Sequence, residues 1–330
     1  VLRGAGEKAF CAGGDLHALY KSMGEYRQSG ATQAHKNAYA MAFFEREYRL
    51  DYQIHAYPKP ILCWGHGIVM GGGIGLMSGA SHRVVTQGSR LAMPETGIGL
   101  FPDVGGTWLL SRAPGASGRF LALTGASIDA SDAVYAGMAD YVIQAQRHDE
   151  VLDALTAATW QHESAANASA LDDLLGDFAV SDLPAGPLER LRAHVDAACA
   201  GTSLTRAVSR IAASELDEPW WQKAQAALAR ACPSSVRLSW ELQQRASRLS
   251  LAEVFQLELV AALRCAEHGD FAEGVRALLI DKDRNPRWSP ATLAEADAAF
   301  IARFFSPPWS PQPHPLADLG HDDPQRIGLN

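Results

Sequence analysis

The chain has 330 residues, 47% of them hydrophobic and 20% charged, with eight Trp and eleven Phe; this excludes a disordered chain and leaves room for a large core. Its 29 basic and 37 acidic residues give a formal charge of −8, which argues against binding a polyanion such as nucleic acid but leaves room for one phosphorylated ligand. The longest apolar run, Ile61–Gly79, is broken by seven glycines and a histidine, so no membrane span is expected.

In chain order, Val1–Arg3 reads as the tail of a strand and Gly4–Asp15 as a glycine-rich loop. Met41, Phe44, Tyr48 and Tyr52 give Gln33–Ala56 a helical period, which Pro58 and Pro60 stop. Ile61–Val69 reads as one buried strand, Gly71–Gly73 as a turn and Ile74–Ala80 as a short helix. Short strands are expected at Arg83–Thr86, Arg90–Met93 and Ala139–Ile143, and helices at Gly105–Arg112, Arg119–Thr124 and Ser131–Ala136. Strands alternating with helices indicate an α/β class. Beyond Gln146 strand signals vanish and Ala and Leu become dense, with long amphipathic patterns at Ser250–His268 and Phe271–Ile280. The expected division is therefore a chemistry-bearing core over residues 1–145 and a mainly helical region over 146–330. The proline-rich Pro307–Pro315 is expected to pack little core.

Several generic motifs fail. The chain lacks a GxSxG elbow, a Walker A sequence and a GxGxxG between strand and helix. Asp281, Asp283 and Asn285 imitate a calcium loop, but Pro286 and Thr292 occupy its required Gly and Glu positions. His17, His66 and His82 lack metal-ligand spacing, so no metal site is expected. Cys11, Cys63, Cys199, Cys232 and Cys265 are odd in number and widely spaced, the pattern of free thiols in a reducing compartment. The cytoplasm is the expected location. The chain runs from Val1 directly into strand-like sequence, so an N-terminal part of the core, with any targeting peptide, is expected to be missing.

Three segments stand apart. In Gly65–Gly75 (GHGIVMGGGIG) a strand ends in three glycines and a helix follows; uncovered amides at a helix start suit a developing oxyanion, although a tight packing turn is the other reading. In Glu7–Asp15 (EKAFCAGGD), Gly13 and Gly14 uncover the amides around Ala12. Two such loops can supply the two donors an oxyanion hole needs. In Ala92–Gly106 (AMPETGIGLFPDVGG), Glu95 and Asp103 are acids in an otherwise uncharged, largely apolar stretch. Carboxylates there must be paired, perturbed or functional.

Together, in this order and spacing, the three segments resemble the crotonase (enoyl-CoA hydratase/isomerase) superfamily. The resemblance implies a crotonase-like spiral of ββα units, with the amides of Ala12 and Gly72 as donors to the thioester oxygen of an acyl-CoA. Hydratases carry one glutamate two residues after the triple glycine, where this chain has Gly75, and a second at the position of Glu95. Where they typically have glycine further on, this chain has Asp103. These departures, with FFxxEY at Phe43–Tyr48 and FAEGVRALLIDKDRNPRW at Phe271–Trp288, resemble the 3-hydroxyisobutyryl-CoA hydrolase subfamily, which also has a long helical C-terminal part.

That resemblance implies hydrolysis of a β-hydroxyacyl-CoA, most simply 3-hydroxyisobutyryl-CoA in valine catabolism. Glu95 and Asp103 would be catalytic, Ala12 and Gly72 the oxyanion hole, and Glu47 a substrate-binding acid acting with Gly72, Glu95 and Asp103. No metal or redox cofactor is implied, because CoA enters with the substrate. Homo-oligomers are common in the superfamily, and no membrane partner is expected. The alternatives are an enoyl-CoA hydratase or isomerase, against which Gly75 stands, and a non-catalytic acyl-CoA-binding protein, which has no need of buried acids.

Overall fold

A computed structural model describes residues 1–31, 33–309 and 312–320. Among the described residues, seven short strands are shared between two parallel sheets. Strands β1 (Leu2–Arg3), β3 (Leu62–Gly65), β5 (His82–Val85) and β7 (Tyr141–Val142) form one sheet in the order β1-β3-β5-β7, and β2 (Ala9–Cys11), β4 (Ile68–Met70) and β6 (Arg90–Ala92) form the other in the order β2-β4-β6. Consecutive strands therefore alternate between the sheets before a helix brings the chain round again. The result is a spiral of ββα units, the α/β architecture expected.

The single strand expected at Ile61–Val69 is two, one per sheet. The break falls at His66–Gly67, where Gly67 has φ of 59°, so the apolar run alone does not reveal the change of sheet. The glycine-rich Gly4–Asp15 likewise contains β2, which pairs with β4. Helix α1 (Leu16–Gln28), for which no element is expected above, buries Leu19, Ser22, Met23 and Tyr26 and is capped by the Asp15 carboxylate. Its stripe is narrow and half polar, which is why the periodicity is faint.

Helix α2 (Ala38–His55) begins later than the expected Gln33, after a 3-10 turn over Ala34–Lys36. The Asn37 side chain sets this start by accepting the Ala40 amide at 3.1 Å. Its buried face carries Ala40, Phe44, Tyr48, Asp51 and Ile54. Helix α3 (Gly72–Ser78) begins within the triple glycine, because Gly71, at φ 52°, makes the turn alone. Helices α4 (Gly106–Ser111), α5 (Ser117–Thr124) and α6 (Ala130–Tyr135) complete the first half.

The second half is helical, as expected: α7 (His148–Ala157), α8 (Ser164–Phe178), α9 (Pro187–Arg190), α10 (Arg192–Cys199), α11 (Leu204–Ala212), α12 (Pro219–Arg230), α13 (Pro233–Ala246), α14 (Leu251–His268), α15 (Asp270–Val275) and α16 (Ala298–Ala302). Helix α14 opens on a capping box between Ser250 and Glu253 and lies against α2. Its Phe255 meets Tyr48, Tyr52 and His55 with ring centroids 5.9, 6.1 and 6.4 Å away. Fully burying such a ring contributes about 1.5–3 kcal/mol. One hydrophobic cluster runs through both halves, from Leu19 to Leu316. The proline-rich segment packs more core than expected: Trp309 is buried and His35 Nδ1 lies 2.7 Å from the Pro308 carbonyl oxygen; just beyond it, Leu316 is buried and Arg49 pairs with Asp318 at 2.7 Å. Residues 310 and 311 lie outside the described residues. No helix among the described residues is long and apolar enough to cross a membrane.

Candidate active site

A cavity of about 520 Å³ opens between the two glycine-rich loops, α2 and the 3-10 turn Glu95–Ile98. Ala12, Glu47, Gly72, Glu95 and Asp103, all named from the sequence, line it. The distal segment adds Phe271, Leu278 and Leu279, so its proximity to the site is a finding of the fold. The loops abut closely: a side chain on Gly13 would begin 3.8 Å from the Gly72 nitrogen. Gly72 is the first residue of α3, so its amide has no acceptor within the helix. A Cβ on Gly72 would stand 2.6 Å from Glu47 Oε1; glycine is required there because the Glu47 carboxyl takes the space.

Glu95 follows Pro94 and is 5% exposed. Among the described residues its Oε2 has no hydrogen-bond partner, which for a buried carboxyl oxygen calls for a functional explanation. Burial, and then the charge of Asp103, hold its pKa well above the usual carboxylate range. Asp103 is also 5% exposed, and its Oδ2 accepts a hydrogen bond from the Tyr48 hydroxyl at 2.7 Å. Burial pushes Asp103 up to about 6, against the pull of that bond. Glu47, half-buried one residue before Tyr48, is pushed up to about 8 by burial and then by the charge of Asp103.

Sequence reasoning left Tyr48 without a role and passed over two further acids. Asp51 is wholly buried, neither of its oxygens has a hydrogen-bond partner among the described residues, and burial raises its pKa well above the ordinary range. It lies beside Gly75: a Cβ there would come within 2.7 Å of Val104 Cβ and 2.8 Å of Asp51 Oδ2. Glu258 of α14 is fully buried and accepts the amides of Gly105 at 2.8 Å and Thr107 at 3.0 Å. Burial pushes it up to about 8. The available signal was acids on otherwise apolar helix faces, Asp51 between Tyr48 and Ile54 and Glu258 between Phe255 and Leu259.

The arrangement is a largely apolar cavity lined by the backbone of both glycine-rich loops and by three carboxyls, those of Glu47, Glu95 and Asp103. The family model described as enoyl-CoA hydratase/isomerase matches residues 1–305. The proteins named "3-hydroxyisobutyryl-CoA hydrolase, mitochondrial" from Danio rerio and Homo sapiens are similar. The first is 36% identical over 307 residues, covering 93% of this chain and 77% of that protein. The second is 33% identical over 298 residues, covering 89% and 73%. Among solved structures, a carnitinyl-CoA dehydratase from Mycobacterium thermoresistibile is 36% identical with a TM-score of 0.79, covering 94% of this chain and 83% of that one. An enoyl-CoA hydratase from Rhodobacter sphaeroides 2.4.1 is 35% identical with a TM-score of 0.77, covering 92% and 82%. On its matched length and its fold, the chain belongs to the enoyl-CoA hydratase/isomerase family.

Proposed function

We propose that the chain hydrolyses a β-hydroxyacyl-CoA thioester, with 3-hydroxyisobutyryl-CoA as substrate and 3-hydroxyisobutyrate and free CoA as products. The observation that carries this reading is that Glu95 and Asp103 share one cavity, while the space beside Gly75 is filled by Asp51 and Val104. Two-glutamate hydration needs a carboxylate side chain at the position of Gly75, and there is no room for one. The relatives named as hydrolases support the same reading.

In this reading the amides of Ala12 and Gly72 stabilise the carbonyl oxygen as it becomes tetrahedral; losing one such donor typically costs about 3–4 kcal/mol. Two routes remain open to Glu95. It attacks the carbonyl carbon, forming an anhydride that water then cleaves, or it takes a proton from a water that attacks directly. Either way the C–S bond breaks, one water is consumed and the sulfur leaves as CoA thiol. Asp103, held by Tyr48, is mostly ionised at neutral pH and orients the water or the β-hydroxyl. Glu47 is mostly protonated there and donates to the hydroxyl oxygen. Carbonyl polarisation is assigned to amides, so the reaction as written uses no metal or redox cofactor, and CoA arrives with the substrate.

The test uses the full-length protein. 3-Hydroxyisobutyryl-CoA is expected to release CoA thiol, while crotonyl-CoA is hydrated slowly or not at all. Rapid hydration of crotonyl-CoA without thiol release from 3-hydroxyisobutyryl-CoA would favour the hydratase reading instead.

A further inference from the structure

Asp103 is followed by Val104 at φ 54° and Gly105 at φ 80°. Left-handed backbone is ordinary for glycine, but for a β-branched residue it is a true outlier that persists only where its surroundings impose it. The surroundings here come in large part from the other half of the chain. Glu258 Oε2 accepts the Gly105 amide at 2.8 Å and Oε1 the Thr107 amide at 3.0 Å. The Asp103 carbonyl oxygen accepts the Gly106 amide at 2.6 Å, and Gln243 of α13 donates to the Thr107 carbonyl oxygen at 3.3 Å. Glu258 is not among the residues lining the cavity. Three residues earlier on the same helix, Phe255 packs against Tyr48, whose hydroxyl holds the Asp103 carboxylate. Helix α14 thus supports Asp103 twice, at its backbone through Glu258 and at its side chain through Tyr48.

We infer that Glu258 is a positioning residue: its two-oxygen grip on the Gly105 and Thr107 amides holds the left-handed turn that presents Asp103 to the substrate. The inference rests on the role proposed for Asp103. A purely structural staple between the halves would lower stability and leave each folded molecule as active as before. A positioning residue changes turnover, and does so only while Asp103 is there to be positioned.

The experiment measures kcat and KM for thiol release from 3-hydroxyisobutyryl-CoA by the full-length protein and by Glu258→Gln, Asp103→Asn and the double variant. Near-ultraviolet circular dichroism counts the folded fraction. Gln keeps the shape and one acceptor oxygen but turns an NH2 group towards the other amide. Glu258→Gln is expected to lower kcat about tenfold or more, with KM changed less than about twofold; in the Asp103→Asn background the same substitution is expected to cost about twofold or less. If Glu258→Gln does not accumulate in folded form, Glu258→Asp, which keeps the carboxyl group but is one methylene short of both amides, carries the same comparison. A folded Glu258 variant with unchanged kcat, or one that loses the same factor in both backgrounds, overturns the inference. If Asp103→Asn alone leaves the rate unchanged, the role assigned to Asp103 fails first and the positioning role falls with it.

Discussion

Glu95, Asp103, Glu47, Asp51 and Glu258 are five acids packed into one region, and no Lys or Arg is among the charges that shift them. So many anions cannot share a low-dielectric interior, so the protons divide unequally. Asp103, with the Tyr48 hydroxyl on it, is pushed only to about 6, whereas Glu47 and Glu258 reach about 8. The charge of Asp103 is the second cause of the raised pKa of Glu95. Removing it in Asp103→Asn lowers the Glu95 pKa, so its reactive ionised form survives to lower pH. The acid limb of the kcat/KM profile is therefore expected to move to lower pH in Asp103→Asn, alongside the fall in rate. An unmoved limb would mean that it titrates another group. Glu95 and Asp103 were legible in the sequence because an acid in an apolar run is conspicuous. Glu47 was legible only through the family pattern around it. Asp51 and Glu258 were not, because a single acid on a helix reads as solvated until the helix has a neighbour.

The element on which the reaction type turns is the short helix α3. Most elements were recognisable from period and punctuation, yet two details that matter here were not. The change of sheet at Gly67 looks in sequence like one continuous strand, and it is what delivers Met70 and Gly71 to the cavity. The second detail is what faces Gly75. Spacing identifies the missing glutamate, but only the packing of α2 and Val104 reveals why glycine fits. A glutamate side chain in place of Gly75 would have to displace Asp51 Oδ2 and Val104 Cβ, both under 3 Å from its first carbon. Overpacking of this kind typically costs about 1–3 kcal/mol, before the further acid is counted. Gly75→Glu is therefore expected to lower the thermal midpoint and to gain no hydration of crotonyl-CoA. A variant that melts like the parent and hydrates crotonyl-CoA would show that the site accommodates the side chain after all.

At the scale of the whole molecule, the helical second half completes the site as well as adding core. Phe255 wedges against α2, Glu258 grips the turn after Asp103, and Phe271, Leu278 and Leu279 wall the cavity. The change from strands and helices to helices alone near residue 145 was legible as a shift in composition. The joins across it were not, since contacts between residues 151 and 153 positions apart leave no local pattern. What the two halves converge on is Glu95, buried, with one oxygen unpartnered among the described residues, in a cavity that receives both glycine-rich loops. Thiol release from 3-hydroxyisobutyryl-CoA by the full-length protein and its Glu95→Gln variant is the most direct test of Glu95-dependent hydrolysis. Gln preserves shape and one acceptor oxygen but can neither attack the carbonyl nor take a proton from water, so kcat is expected to fall by at least about a hundredfold with the fold intact. A folded Glu95→Gln enzyme that releases thiol at a near-normal rate would contradict the mechanism.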